Sequence, residues 1–318
     1  MYTKMIKRLA AGVIGLAAMG AQAQSSTNLV VAFPAGGPAD SLARVVAAQL
    51  EKELKHPVVV ENKPGGNGAI AATYVGRAQP DGSTLFLSSV GAISINPALY
   101  PKLIYDPFND FVPVTLLVSV PEVLIVGPGS ATKDAKAFVE KARSEGVSMA
   151  SSGVGSMPHM AIAQLKKATE SKILHVPYKG AAPAITDTIG GQVDAFIGDV
   201  SGLMPHIKSG KAVALAIAAP KRSPVLPDVP TFDELGVPNV YANNWYGVFA
   251  PKGTPADKVA ELNQVFAKVL ASPELQTYQA STGVELSPTT SEEFGDIVRG
   301  DAKKWGDLIR AEGITMDN

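Results

Sequence analysis

No cysteine occurs in this 318-residue chain. Disulfide staples, thiolate metal ligands and a cysteine nucleophile are thereby excluded, and a chain of this length can bury enough core to do without staples. Histidine is also scarce. His56, His159, His175 and His206 are the only four, and none falls in an H-E-x-x-H or other zinc spacing. Positive charge is not in excess, with 28 basic against 29 acidic residues, so the basic stripe that a nucleic-acid partner calls for is missing. Only 6% of residues are aromatic and 18% charged, against 46% hydrophobic, which is a globular composition. No apolar run reaches the roughly 20 residues of a membrane span. The longest, Leu9–Met19, follows Lys4, Lys7 and Arg8 and precedes Ala21-Gln22-Ala23, the three parts of a secretory signal. Residues 1–23 therefore read as a leader cut after Ala23, leaving 25 basic against 29 acidic residues, a net charge of about −4, in a soluble product.

What is present is an alternation of strand-like and helical patterns. Leu29–Phe33 leads to a helix over Ala39–Leu54, whose Leu42, Val45, Val46, Leu50 and Leu54 share one face. Pro57–Glu61, a small-residue helix and the strand Thr84–Ser88 continue a βαβ rhythm. The rhythm breaks at "VPVTLLVSVPEVLIV", Val112–Val126, and again at "VYANNWYGVFAP". Between these breaks come the helix Lys133–Ser144, the strands Val147–Ser151, Ile173–Tyr178, Asp194–Gly198 and Val213–Ala218, and further helices. Ala256–Ala271 and Ser291–Glu312 close the chain as helices. Two long helix-free passages fit a chain that crosses twice between two α/β lobes; one continuous doubly wound sheet is the alternative.

Glycine turns stand between strand and helix four times: "FPAGGPAD", "NKPGGNGA", "SSGVGSMPH" and "YKGAAPA". Strand, glycine turn, helix is the geometry that aims backbone N–H groups and a helix dipole at an anion. The nucleotide motifs fail on spacing. No turn supplies the Gly-Lys-Ser/Thr of a P-loop, Gly36 and Gly37 are adjacent, and "GVGSMP" puts proline at the third glycine of G-x-G-x-x-G. A smaller anion remains, and the hydroxyls of Ser88, Ser89, Ser151, Ser152 and Ser156 suit a carboxylate held by neutral donors. Asp40, in the first turn of its helix and four residues before Arg44, can cap free N–H groups or accept from a ligand ammonium, hydroxyl or water. Gly146-Val147-Ser148-Met149-Ala150 nearly spells a nucleophile elbow, but Ser148 falls inside a strand rather than on a turn.

The blocks "FPAGGPADSLAR", "VVVENKPGGNGAIAA", "AISINPALY", "HVPYKGAAPAITDTIGGQVD", "KSGKAVALAIAAPKRSPVLPDVPTFDELG" and "WYGVFAPKGTP" occur in order along nearly the whole mature chain. Together they resemble the Bug (Bordetella uptake gene) receptors, the TctC family of periplasmic solute-binding proteins. The resemblance implies an α/β, two-lobed type II periplasmic-binding-protein fold, with a ligand cleft between the lobes and two crossover strands. The lobes it implies are 24–118 with 245–318, and 119–244. It further implies that the chain is a periplasmic receptor for a small carboxylate, acting as a monomer; the missing motifs point to no metal, cofactor or enzymatic nucleophile, and a periplasmic enzyme is the less favoured alternative. Its partners would be TctA/TctB-type membrane transporter subunits, or a membrane sensor kinase in the alternative reading. Carried over by position, one wall of the cleft is Phe33, Pro34, Ala35, Gly36, Gly37 and Asp40, with Ser88 and Ser89 opening a loop that runs to Ser94. The facing wall is Ser152, Gly153, Gly155, Ser156 and His159, then Tyr178 and Lys179 in the turn ending at Gly180, and Asp199. One departure stands out: many relatives carry threonine and histidine where this chain has Ala92 and Ile93. With Phe33, Tyr178 and Trp245 nearby, that loss of polarity points to an aromatic or partly apolar mono- or dicarboxylate.

Overall fold

The computed structural model describes residues 26–315, so the leader assigned to 1–23 lies outside it. Strand β1 (Thr27–Val31) is apolar because both its faces are covered: Leu29, Val30 and Val31 are fully buried. It pairs in parallel with β2 (Val58–Asn62) and β3 (Thr84–Ser89). Helix α1 (Pro38–Leu54) starts on Pro38 at its first turn, lays Leu42, Val46 and Leu50 on the sheet and ends where Lys55 turns left-handed. The short α2 (Ala69–Val75) makes the second crossover.

After β3 the chain enters a buried π-helical turn, Gly91–Ile95, and α3 (Asn96–Leu99). The sequence reading expected a loop here that touched solute. Instead Ala92, Ile93 and Ser94 are fully buried, and the Ser94 hydroxyl donates to the Val298 carbonyl. The missing polarity at positions 92 and 93 is therefore packed into the core and does not face the cleft.

The uninterrupted strand β4 (Phe111–Val126) organises the molecule. From Phe111 to Pro121 it pairs antiparallel with β9 (Asn243–Pro251), which also pairs with β3. From Glu122 onward it changes partners, to β7 (Ala195–Asp199) on one edge and β8 (Val213–Ile217) on the other. Beyond β7 lie β5 (Val147–Ser151) and β6 (Ile173–Pro177), in parallel. One mixed ten-stranded sheet thus runs through both halves, with β4 shared between them. Helices α4 (Ala135–Ser144), α5 (Met157–Thr169), α6 (Ala181–Ile189) and α7 (Val200–Lys208) belong to the second half. Asp134 caps α4 and Ser156 caps α5 through their side chains.

The chain then returns to the first half through α8 (Ala256–Leu270), α9 (Pro273–Thr282), β10 (Glu285–Leu286, on β4) and α10 (Ser291–Glu312). Thr290 and Glu293 form a reciprocal capping box at the start of α10. Helix α9 was not read from sequence, although Ser272 caps it and Pro273 opens it. Trp245 belongs to the core of this half, edge-on to Phe294 at 5.3 Å, and its indole N–H donates to Asp301 at 2.7 Å. It does not reach the cleft, contrary to the sequence reading.

Candidate functional site

The cleft lies where the carboxyl ends of β1 and β3 face those of β5, β6 and β7, the position at which open α/β sheets hold ligands. Nine of the sixteen residues carried over by resemblance line it: Phe33, Pro34, Ala35, Gly37, Ser89, Ser152, Ser156, Lys179 and Asp199. Most of the remaining lining is apolar, including Met157, Ile185, Phe196 and Leu203. Lys179 is exposed at the rim, and no ion pair involves it among the described residues.

The seven others stand behind the wall and shape it. Asp40 is buried. Its Oδ2 accepts from the Gly36 N–H at 2.9 Å and from Arg44 Nε at 3.0 Å, and its Oδ1 accepts from Asn62 Nδ2 at 3.0 Å. Burial raises its pKa, but Arg44, the Gly36 amide and Asn62 together outweigh that and hold it below the usual carboxylate range. Of the two roles open to Asp40 in the sequence, the contacts are those of a brace for the turn. Gly36, at φ +81°, is the left-handed residue that the brace closes upon.

Gly153 and Gly155, at φ +134° and +78°, bend the second turn, and Ser156 donates to the Gly153 carbonyl at 2.7 Å. His159 sits under this turn, accepting at Nδ1 from the Gly155 N–H at 3.2 Å. It stacks on His175, ring centroids 3.9 Å apart, and His175 Nε2 meets the Ser151 hydroxyl at 2.6 Å. Burial first, then the neighbouring imidazole, pulls His159 down to about 3; burial alone pulls His175 down to about 4. A neutral stacked pair therefore supports the Ser151–Ser156 turn. Tyr178 points away and donates to Asp187 at 2.8 Å, and Ser88 is buried in β3. Ser148 lies inside β5, its hydroxyl tied to Asp194, so it has no nucleophile-elbow geometry.

Sequence reasoning missed Asn67, Asn244 and Tyr246. Tyr246, not its neighbour Trp245, is the aromatic that β9 turns to the cleft, edge-on to Phe33 with centroids 6.4 Å apart. Its hydroxyl donates to Asp199 Oδ2, while Asn244 Nδ2 donates to Oδ1 at 2.9 Å, so both oxygens of the cleft carboxylate have neutral donors. Asn67 Nδ2 reaches across from the first half to the Gly155 carbonyl at 2.7 Å.

Other contacts span the same gap, and all depend on a missing side chain. A Cβ on Gly155 would lie 2.4 Å from Leu99 Cδ2, one on Gly180 3.3 Å from Pro34 Cγ, and one on Gly202 2.6 Å from Pro38 Cγ. The two walls meet through these glycines in a closed arrangement.

The family described as "Tripartite tricarboxylate transporter family receptor" matches residues 42–314. Similar solved structures include the following three. The periplasmic binding protein BugD is 36% identical with a TM-score of 0.85, over 91% of this chain and 98% of that one. MatC from Rhodopseudomonas palustris, solved with bound malate, is 34% identical with a TM-score of 0.84, over 89% and 98%. A second R. palustris protein, solved with adipate, is 31% identical with a TM-score of 0.87, over 91% and 97%.

Proposed function

Because this chain belongs to the tripartite tricarboxylate transporter receptor (TctC) family of periplasmic solute-binding proteins, we propose that its cleft captures a small carboxylate for a tripartite membrane transporter of the TctA/TctB type. The observation that carries the reading is the lining itself. Glycine turns, serines, an exposed lysine and the hydrogen-bonded group of Asp199, Asn244 and Tyr246 interrupt a mostly apolar lining, which suits a carboxylate on a short hydrophobic body. Malate and adipate in two related structures support that class. Phe33, Phe196 and Tyr246 leave room in the proposal for an aromatic mono- or dicarboxylate.

The role proposed is binding, not catalysis. A solute contacted by both walls favours the closed arrangement by its differential affinity for it, and the membrane partner reads closure. The lobes we assign are 24–118 with 245–318, and 119–244; the change of partners along β4 between Pro121 and Glu122 supports a crossing there.

A thermal-shift screen of residues 24–318 against aliphatic di- and tricarboxylates, aromatic carboxylates and amino acids tests the reading. Ligand at about a thousand times its Kd adds roughly 4 kcal/mol, enough to raise Tm by several degrees. A shift confined to one carboxylate class supports the proposal, and a shift with amino acids but no carboxylic diacid would redirect it.

A further inference from the structure

Glu122 is fully buried behind the cleft floor, and neither of its carboxyl oxygens has a hydrogen-bond partner among the described residues. It is the residue at which β4 changes partners, and it stands directly opposite Asp199 of β7. Residues so paired have Cβ atoms about 5 Å apart. Asp199, Asn244 and Tyr246 form the hydrogen-bonded floor in front of it, and all three line the cleft.

The titratable groups facing this pair are Tyr246 from β9 and Tyr278 from α9. Among the described residues, no lysine, arginine or histidine acts on Glu122. Two ionised carboxylates side by side in a buried position, with no cation beside them among the described residues, are strongly disfavoured, so one of them keeps a proton. Burial first, then the Asp199 charge, push Glu122 well above the carboxylate range, whereas Asp199 already accepts hydrogen bonds from Asn244 and Tyr246.

We propose that Glu122 is a protonated carboxylic acid that positions Asp199 and holds the cleft floor at a single negative charge, so that losing this proton weakens the binding of an anionic solute. Its hydrogen has a carboxylate acceptor beside it, that of Asp199, directly opposite across the strand pair. The effect on solute rests on the carboxylate-receptor reading; the protonation itself does not. The direction of the pH dependence follows from linkage. A carboxyl whose folded pKa lies above its unfolded value contributes stability that is complete below the unfolded value and lost as pH rises through the folded one. A second negative charge within about 10 Å of the bound anion, at an effective dielectric near 20, lowers affinity on the order of tenfold.

The test compares wild type with Glu122→Gln, a neutral isostere. Infrared difference spectra of the two solute-free proteins at neutral pH should show a protonated-carboxyl band in wild type that the variant lacks. Malate and adipate titrations at rising pH should then show wild-type affinity falling relative to the variant, on the order of tenfold, with wild-type Tm falling relative to the variant over the same range. A wild type without the band overturns the proposal, as do affinity and Tm profiles that run parallel in the two proteins. If neither acid binds wild type at any pH, the carboxylate reading is what fails, and the band still decides the proton. Should the amide misfold, Glu122→Leu supplies the same spectral subtraction.

Discussion

Gly202 shows how much one absent methyl can decide. It lies within α7 with ordinary helical φ, where alanine is about 1 kcal/mol more favourable than glycine, yet a Cβ there would sit 2.6 Å from the Pro38 ring on the opposite wall. Gly202→Ala should therefore leave the solute-free Tm unchanged or raised while weakening carboxylate binding on the order of tenfold, about 1.4 kcal/mol. Calorimetry and a melting curve on the same sample separate the two effects; equal affinity in both proteins would mean that the closed contact is not part of binding. Ser156 couples cap and cleft in the opposite sense. Its hydroxyl caps α5, accepts from the His159 N–H and donates to the Gly153 carbonyl while lining the cavity. Ser156→Ala should cost about 1 kcal/mol of stability, a few degrees in Tm, and lower affinity as well. A variant that loses stability but binds normally would make Ser156 a cap alone.

At the scale of elements, the glycine turn Ser151–Ser156 is sensitive to acid. His159 and His175 are held at about 3 and about 4, far below the 6.5 of an unfolded histidine, so between those values the unfolded chain binds more protons than the folded one. Stability should therefore fall as pH drops below about 6.5, and His175→Gln should flatten that slope by about one proton; an unchanged slope would show that the pair is not held neutral. The turns themselves were legible because proline and glycine punctuate apolar runs, and strands β1, β3, β4 and β5 fall within two residues of their expected bounds. The assignment of Trp245 over Tyr246 failed for a physical reason. β9 is buried on both faces, so alternation carries no signal, and a one-residue choice sends a side chain to the opposite face. Asn67 was passed over because asparagine between glycines reads as a turn former, which it also is, at φ 49°. Glu122 did carry a signal, as the one charged residue in the strand-like stretch Val112–Val126, but sequence alone could not say that Asp199 would stand opposite.

For the whole molecule, β4 and β9 carry the chain between two halves whose walls touch through Asn67 and Gly155, Pro34 and Gly180, and Pro38 and Gly202. Each of these contacts has a glycine on one side, and only Asn67 meets it with a flexible side chain, so closing the walls orders few side chains. The solute need therefore supply only the differential affinity that favours the closed state over the open one. That economy fits a receptor that must also release what it binds. The most direct test is isothermal titration of the protein, unfolded and refolded to strip any co-purified solute, with malate, adipate and a set of aromatic mono- and dicarboxylates. Saturable binding of at least one of these acids with one site per chain, weakened by Gly202→Ala, is the expected result. No binding to any of them, together with no small molecule released on unfolding, would contradict a carboxylate receptor.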